Sequence, residues 1–342
     1  MKSVLVLLAA AGLWAATDPK AAAEAEKALE LAHAGKYELA IPHYRAAIAL
    51  DPSLPGVQLN LGLAYFKLDK FPEAAAAFEL ATKADPSSFQ ARALLGMSYY
   101  GSRKFDAAAV QLKLASDRQP DNQELRYKLA QSYLWSKQYR EATAEFRLLL
   151  EKNPDSAPVH MLLGEVLDAA NEEEQATAEF EAAVKASPRE PEVHFDLGYI
   201  YWKQKRFEDA QREFSAELAN QPQHPQSLAY LGDCEMHAGS DAAAGHLRQA
   251  LKLDPTLRLA HLDLGIVLAG GGDAAGAESH LREAIRLDPA RPDAHYRLGR
   301  LWQSMGRQKD AEAEFAKVKE LAQEQPPPPL VSVPGPGGEP KP

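Results

Sequence analysis

A pattern of small and large apolar residues recurs along most of the chain. An alanine is followed four residues later by Phe or Leu and three residues after that by a small residue, as in Ala74, Phe78 and Ala81. These spacings place the three side chains on one face of a helix. A Leu-Gly pair such as Leu61-Gly62 stands earlier in every period except the first and the fourth. Glycine is costly within a helix unless a neighbouring helix packs closely against it. The pattern therefore predicts two packed helices in each period.

A proline closes each period. Successive prolines are 34 residues apart, except for one interval of 33, and they are Pro52, Pro86, Pro120, Pro154, Pro188, Pro222, Pro255 and Pro289. Because proline ends a helix, each period is predicted to be one helical hairpin. A single hairpin cannot bury its own apolar face, so the hairpins are predicted to stack on one another.

The combined motif resembles the tetratricopeptide repeat (TPR) family over about Ala22 to Gln323, or close to nine repeats. The resemblance implies an all-α fold, a right-handed α-solenoid of about nine helix-turn-helix hairpins whose first helices line a concave groove. We predict three regions: a signal peptide at 1–17, a TPR solenoid at 18–323 with its seventh repeat one residue short, and a disordered Pro/Gly-rich tail at 324–342.

The two ends of the chain differ from the repeats. After Met1-Lys2, the apolar stretch 4–16 has the length of a signal-peptide core and is too short to span a bilayer. It predicts export to the periplasm or the extracellular space; the alternative is an apolar first helix of a cytoplasmic protein. The tail sequence QPPPPLVSVPGPGGEPKP predicts a solvated tail or, alternatively, a docking segment for a proline-binding partner.

Composition and motifs exclude several classes of function. The net charge of −10 disfavours nucleic acid as a ligand, and a lone cysteine excludes an internal disulfide and a four-cysteine zinc site. The sequence lacks H-E-x-x-H, G-x-S-x-G, P-loop and G-x-G-x-x-G motifs. We therefore predict no enzymatic activity, no catalytic residues, no cofactor, no metal and no membrane span.

Two groups of reactive side chains have structural interpretations. Cys234 lies beside Asp233 and three residues before His237, which could activate a thiol, but the equivalent positions of other repeats are apolar. We predict that Cys234 is a small buried residue. Four histidines precede the repeat glycine by four positions: His160, His194, His261 and His295. Adjacent repeats lie about 10 Å apart, too far to share a metal, so each is predicted to pack against the preceding repeat.

The resemblance implies that ligand-facing residues lie on the first helices, three before and one, four and five after the repeat glycine. The partner-binding candidates at these positions are Leu63, Phe66, Met97, Tyr100, Tyr127, Trp135, Phe195, Tyr199, Trp202 and Tyr296. Acidic Glu165 and Asp168 interrupt this apolar stripe. Alternatively, some of these rings pack between helices or against the chain's own tail.

Two specialised roles in the resembled family do not fit the groove. Members that clamp a C-terminal carboxylate carry Asn and Lys there, and these are missing one position after the glycine. Members fused to a sugar transferase carry asparagines two before the glycine, where only Asn60 matches.

The function predicted from the sequence is a non-enzymatic scaffold that binds a protein or peptide segment in the groove, in envelope assembly, secretion or trafficking. Acidic residues at the rim would select against acidic partners. The alternatives are a cytoplasmic adaptor, an accessory subunit of an enzyme complex (a glycosyltransferase-associated protein, for example) and a structural spacer. Small residues near Gly239 and at 270–272 also predict a softer joint between repeats one to six and repeats seven to nine.

Overall fold

The computed structural model describes residues 18–324, which form eighteen α-helices and no strand within that range. The helices are α1 (Pro19–His33), α2 (Tyr37–Leu50), α3 (Val57–Lys67), α4 (Phe71–Ala84), α5 (Phe89–Gly101), α6 (Phe105–Ser116), α7 (Gln123–Trp135), α8 (Tyr139–Lys152), α9 (Ala157–Ala169), α10 (Glu173–Ala186), α11 (Val193–Lys203), α12 (Phe207–Asn220), α13 (Pro225–His237), α14 (Ala243–Leu253), α15 (Arg258–Gly270), α16 (Ala274–Leu287), α17 (Pro292–Ser304) and α18 (Gln308–Glu324). Taken in pairs, they are the nine predicted hairpins.

The chain divides into two compact units, Met1–Pro154 and Asp155–Pro342, here called the N-terminal half and the C-terminal half. The described helices are α1–α8 in the first and α9–α18 in the second. Within each half, the two helices of a hairpin pack together, and each second helix packs against the first helix of the next hairpin. The predicted all-α stacking of helical hairpins is confirmed within each half.

The repeat glycine and the large residue of the second helix form one close contact in seven of the nine hairpins. A Cβ atom on Gly62 would lie 2.7 Å from the ring of Phe78, and one on Gly198 would lie 2.8 Å from the ring of Phe214. Phe78 and Phe214 are fully buried. The pairs Gly96–Leu112, Gly164–Phe180, Gly232–Leu247, Gly265–Leu281 and Gly299–Phe315 repeat this contact. In these seven hairpins a Cβ atom would overlap the partner side chain, which explains the close packing that the sequence predicts at the glycine.

The Asp-Pro sequences close the second helices. Asp51 follows α2, and its Oδ1 accepts a 2.9 Å hydrogen bond from the backbone N–H of Ser53. Asp85 follows α4 and binds the Ser87 N–H at 2.9 Å, and the hydroxyl and N–H of Ser87 lower the pKa of this carboxyl. Such turns hold the chain in a non-helical conformation at the proline, so the hairpin ends there.

A residue in the left-handed conformation lies in the turn between the two helices of every hairpin. Its φ is positive at Gly35, Asp69, Arg103, Lys137, Asn171, Lys205, Gly239, Gly272 and Gly306. Glycine adopts this conformation freely, whereas other residues adopt it at a cost of about 1 kcal/mol. The four glycines signal this turn in the sequence, and Asp69 and Asn171 signal it more weakly.

The missing residue of the seventh repeat shortens the start of α14. Gly232 and its partner Leu247 are 15 positions apart rather than 16, and α14 has 11 residues where α12 and α16 have 14. No side chain caps α14, whereas Asp273 Oδ1 accepts a 2.9 Å hydrogen bond from Gly276 N–H at the start of α16. Of the two turns that are rich in small residues, the turn before α14 therefore lacks the stabilising cap that the turn before α16 has.

We expect limited proteolysis with a broad-specificity protease to cut first between Gly239 and Ala242. Local opening is easiest where a helix start is short and uncapped. Mass spectrometry of the earliest fragments measures the cut, and the capped turn at 270–272 is the internal control. First cleavage at 270–272, or none at Gly239, would contradict this prediction.

The predicted end regions lie mostly outside the described residues. This applies to the signal peptide at 1–17 and to the tail, except that Glu324, the first residue of the predicted tail, is the last residue of α18. Within residues 18–324, no helix combines the length and the apolar character that crossing a membrane requires.

Candidate functional site

Aromatic rings from α11 and α13 meet on one surface of the C-terminal half. Tyr199 and Trp202 stack with centroids 6.0 Å apart, and Tyr230 meets Trp202 edge-on at 5.0 Å and Tyr199 at 5.6 Å. Tyr199 and Trp202 remain partly exposed, while Tyr230 is buried. Phe195 stacks on Tyr199 but is only 3% exposed, so it supports the surface from below instead of forming it.

Buried carboxyl groups lie directly beside these rings. Trp202 Nε1–H donates a 2.5 Å hydrogen bond to Asp233 Oδ2, and His237 Nε2 lies 3.7 Å from Asp233 Oδ1. Burial raises the pKa of Asp233, and it raises the pKa of Asp263 on α15 well above the usual aspartate range. The charge of Asp233 adds to burial in raising the pKa of Asp263, which favours the protonated form of this carboxyl.

A second acidic group lies on α9, which contacts α11. Glu165 is partly exposed, burial raises its pKa to about 7, and no hydrogen-bond or ion-pair partner is recorded for it within residues 18–324. Asp196 on α11 is 3% exposed; burial first and the Glu165 charge second raise its pKa well above the usual range. Asp168 forms an ion pair with Lys203. We call Glu165, Asp168, Tyr199, Trp202, Tyr230 and Asp233 the acidic–aromatic surface.

One repeat position holds polar atoms without partners. Asn60, Asp196 and Asp263 each stand two residues before a repeat glycine, and each is at most 3% exposed. The Nδ2 atom of the asparagine and the Oδ2 atoms of both aspartates have no hydrogen-bond partner. Buried polar atoms are almost always satisfied in folded proteins, so these unsatisfied atoms call for an explanation.

The candidates in the N-terminal half form a separate surface with a different charge. Tyr100 O–H donates a 3.2 Å hydrogen bond to Gln131 Oε1, and Lys128 Nζ lies 4.5 Å from the Tyr100 ring centroid. Burial lowers the pKa of Lys128. Trp135 is 40% exposed and packs against Phe105. This half therefore presents aromatic rings with a lysine, not with carboxylates.

The remaining partner-binding candidates differ in how far their side chains are exposed. Leu63 is 3% exposed and belongs to the core, so it is not available to a partner. Phe66, Met97 and Tyr127 are partly buried, and the rings of Phe66 and Tyr127 contact those of Phe71 and Phe146. In the C-terminal half, Tyr296 is 44% exposed.

The four histidines bind the second helix of their own hairpin, which the sequence interpretation missed. His160, His194 and His295 place Nδ1 2.6 Å from the carboxylates of Glu179, Glu213 and Glu314, each 19 residues further on. In the eighth repeat the partner is His280, with the two Nδ1 atoms 2.9 Å apart. His261 and His295 also approach the carbonyl of the preceding closing proline, as the predicted packing requires.

Replacing His280 by glutamate should stabilise the chain at pH 5.5 by about 1 kcal/mol and less at pH 8. Burial and the charge of His261 lower the pKa of His280, so its contribution to stability is lost as the pH falls below its unfolded value. The substitution recreates the His–Glu pair of the other hairpins. Urea unfolding at both pH values measures the change, and His280→Gln is the control. An equal gain from both variants would contradict the charge argument.

No other centre of reactivity appears in the described part of the chain. Cys234 is 1% exposed, and burial raises the pKa of its thiol to about 12, which confirms the predicted buried role and excludes an activated thiolate. Residues 18–324 contain no group of three or more His, Cys, Asp or Glu side chains that could hold a metal ion.

Family models match the repeats along more than half of the chain. One tetratricopeptide repeat model matches residues 99–166 and 268–328, another matches 59–122 and 195–258, and a TPR repeat model matches 28–69. No curated protein matches the chain.

Solved structures show the same fold. The APC/C hetero-tetramer Cut9–Hcn1 is 15% identical, with a TM-score of 0.55 over 90% of this chain and 62% of that one. The C-terminal part of a TPR repeat-containing protein from Cytophaga hutchinsonii is 14% identical, with a TM-score of 0.57 over 69% and 98%. YrrB, described as a TPR protein with an unusual peptide-binding site, is 20% identical, with a TM-score of 0.43 over 53% and 93%.

The first two structures establish the α-solenoid class, and the family models establish the repeat type. Proteins built from these repeats are generally non-catalytic scaffolds that bind protein or peptide partners. The chain belongs to the tetratricopeptide repeat family.

Proposed function

We propose that this chain is an exported, non-enzymatic scaffold that binds a protein or peptide segment on the first helices of its repeats, in envelope assembly, secretion or trafficking. The observation that carries the proposal is the partly exposed Tyr199–Trp202 pair, held in place by buried Tyr230 and Phe195. Rings that are fixed by packing lose little entropy on binding and supply large contact area, which is typical of interface anchors.

A capture experiment tests the binding function. The chain from Asp18 onward serves as bait in an envelope extract, beside a Tyr199→Ala/Trp202→Ala variant. Leu253→Ala, on α14 and 39% exposed, is the control for an exposed apolar residue outside the ring cluster. We expect a protein that the parent and the control retain and the double variant loses, with unchanged helicity by circular dichroism.

The other outcomes of the capture experiment are equally informative. Equal retention by all three would move the binding site away from these rings. No retention by any of them would favour a structural spacer and contradict the proposal.

Export is tested separately, because it rests on the sequence of residues 1–17. The full chain is expressed in a bacterial host, which is then fractionated, and the intact mass of the product is measured. We expect a periplasmic or secreted chain that begins near Asp18. An uncleaved chain in the cytoplasm would support a cytoplasmic adaptor instead.

A further inference from the structure

Building on the proposed function, we propose that the acidic–aromatic surface binds a lysine or arginine side chain of the partner segment. The surface combines two features that attract such a side chain: the faces of stacked aromatic rings, and the Glu165 carboxyl, which has no cationic partner within residues 18–324. Both features lie on the first helices α9, α11 and α13 of the C-terminal half.

The rings of the surface have a face that no cation of the described chain covers. A cation over an aromatic face is attracted by the ring quadrupole. The same half uses this contact elsewhere, with Arg206 4.1 Å from the Tyr201 centroid and Arg307 4.5 Å from the Trp302 centroid. Within residues 18–324, no lysine or arginine lies over Tyr199 or Trp202, although both rings remain partly exposed.

One carboxyl group of the surface, that of Glu165, is likewise left without compensating charge. Lys203 is the nearest lysine on α11, and it is already paired with Asp168. Glu165 has no partner within the described residues, and Asp196 keeps an unpartnered Oδ2 atom while only 3% exposed. A buried carboxyl that lacks a partner is destabilising, and a cationic side chain would relieve this through a charge-assisted hydrogen bond.

The chemistry of the surface favours a side-chain cation over other ligands. A metal ion needs several protein ligands around one point, and no such group of three exists within residues 18–324. An acidic segment would meet like charge from Glu165, and a purely apolar segment would leave this carboxyl desolvated and unpaired. A long side chain with a cationic head and an apolar stem suits both the rings and the acids.

The binding test uses four short peptides and the indole N–H signals of the chain from Asp18 onward. The peptides are Ac-Ala-Arg-Ala-NH₂, Ac-Ala-Lys-Ala-NH₂ and their neutral analogues with citrulline and norleucine. Titrations followed by two-dimensional ¹⁵N NMR at pH 7.5 report on Trp202, whose Nε1–H binds Asp233. We expect a saturable shift of the Trp202 signal by the cationic peptides, with a Kd at least about tenfold lower than for the analogues.

Variants test which side chains hold the cation. Glu165→Gln is expected to raise the Kd for the arginine peptide about five- to tenfold. Glu174→Gln removes an equal charge from the exposed first turn of α10 and should change the Kd less than twofold. Because Glu165 lacks a structural partner in the described chain, its replacement should not impair folding, which circular dichroism checks.

Three results would overturn the proposal. Equal Kd values for arginine and citrulline peptides would exclude a cation site while leaving a general peptide-binding groove intact. Absence of any saturable Trp202 shift would exclude the site, whereas the capture experiment would still decide the proposed function. The Lys341→Gln variant is also measured without peptide. If its Trp202 signal differs from that of the parent chain, the site binds the chain's own tail instead of a partner.

Discussion

Replacing Gly198 by alanine is expected to destabilise the C-terminal half by about 2 kcal/mol, although alanine is the better helix former. The new Cβ atom would lie 2.8 Å from the ring of Phe214, closer than real Cβ contacts allow. Phe214 cannot retreat, because it is fully buried between Phe195 at 5.8 Å and Tyr230 at 5.5 Å. The overpacking therefore exceeds the roughly 1 kcal/mol that alanine gains in helix propensity.

The matched control is Gly245→Ala, which should act in the opposite direction. Gly245 lies within α14, is exposed, and no atom lies within 4 Å of the position that its Cβ would occupy. We expect a gain of up to about 1 kcal/mol from helix propensity alone. Urea unfolding followed by circular dichroism measures both variants. A stabilising effect of Gly198→Ala would contradict the close-contact explanation for the repeat glycine.

Replacing Asp263 by asparagine is expected to stabilise the chain by about 2–3 kcal/mol at pH 8 and hardly at all at pH 4. Burial raises the pKa of Asp263 well above the value of about 4 that it has when unfolded. The folded state then holds a proton that the unfolded state has lost, so stability falls as the pH rises above about 4. Asparagine removes this penalty because its amide carries no charge.

Urea midpoints at pH 4 and pH 8 measure the effect of Asp263→Asn. Asp241→Asn is the control, because Asp241 is exposed in the turn before α14. Asn60 occupies the equivalent position of the second repeat, so an amide is compatible with this place in a hairpin. A gain that is the same at both pH values would show that Asp263 is not protonated in the folded chain.

The hairpins could be predicted from the sequence because their main contact is encoded at fixed positions. The repeat glycine and its large partner recur 16 residues apart in most hairpins, and each is identifiable by residue type. The left-handed turn residue was less visible, since Arg103, Lys137 and Lys205 carry no local signal for a positive φ. Their conformation follows from the packing of the two helices that they join, which overrides local preference.

The sequence alone predicts the aromatic residues of the candidate site. It does not predict the raised pKa values of the buried carboxyl groups. The positions relative to the repeat glycine identified Tyr199 and Trp202 together with Phe195, an aromatic residue on the same helix. Only the structure shows that Phe195 is buried, whereas Tyr199 and Trp202 are partly exposed. The desolvation of Asp196 and Asp263 depends on neighbours from adjacent helices, so spacing along the chain cannot show it. The histidine pairs did have a signal: an acidic residue follows His160, His194 and His295 by 19 positions.

The close contact between glycine and its partner has a consequence for how the chain acquires its structure. Gly62 meets Phe78 and Gly299 meets Phe315 across only 16 positions of sequence, so closing such a loop costs little chain entropy. Native contacts that are this local are typical of rapid folding. Any hairpin with a neighbour can therefore serve as a nucleus, and structure can form one hairpin at a time as the chain is synthesised from the N-terminus.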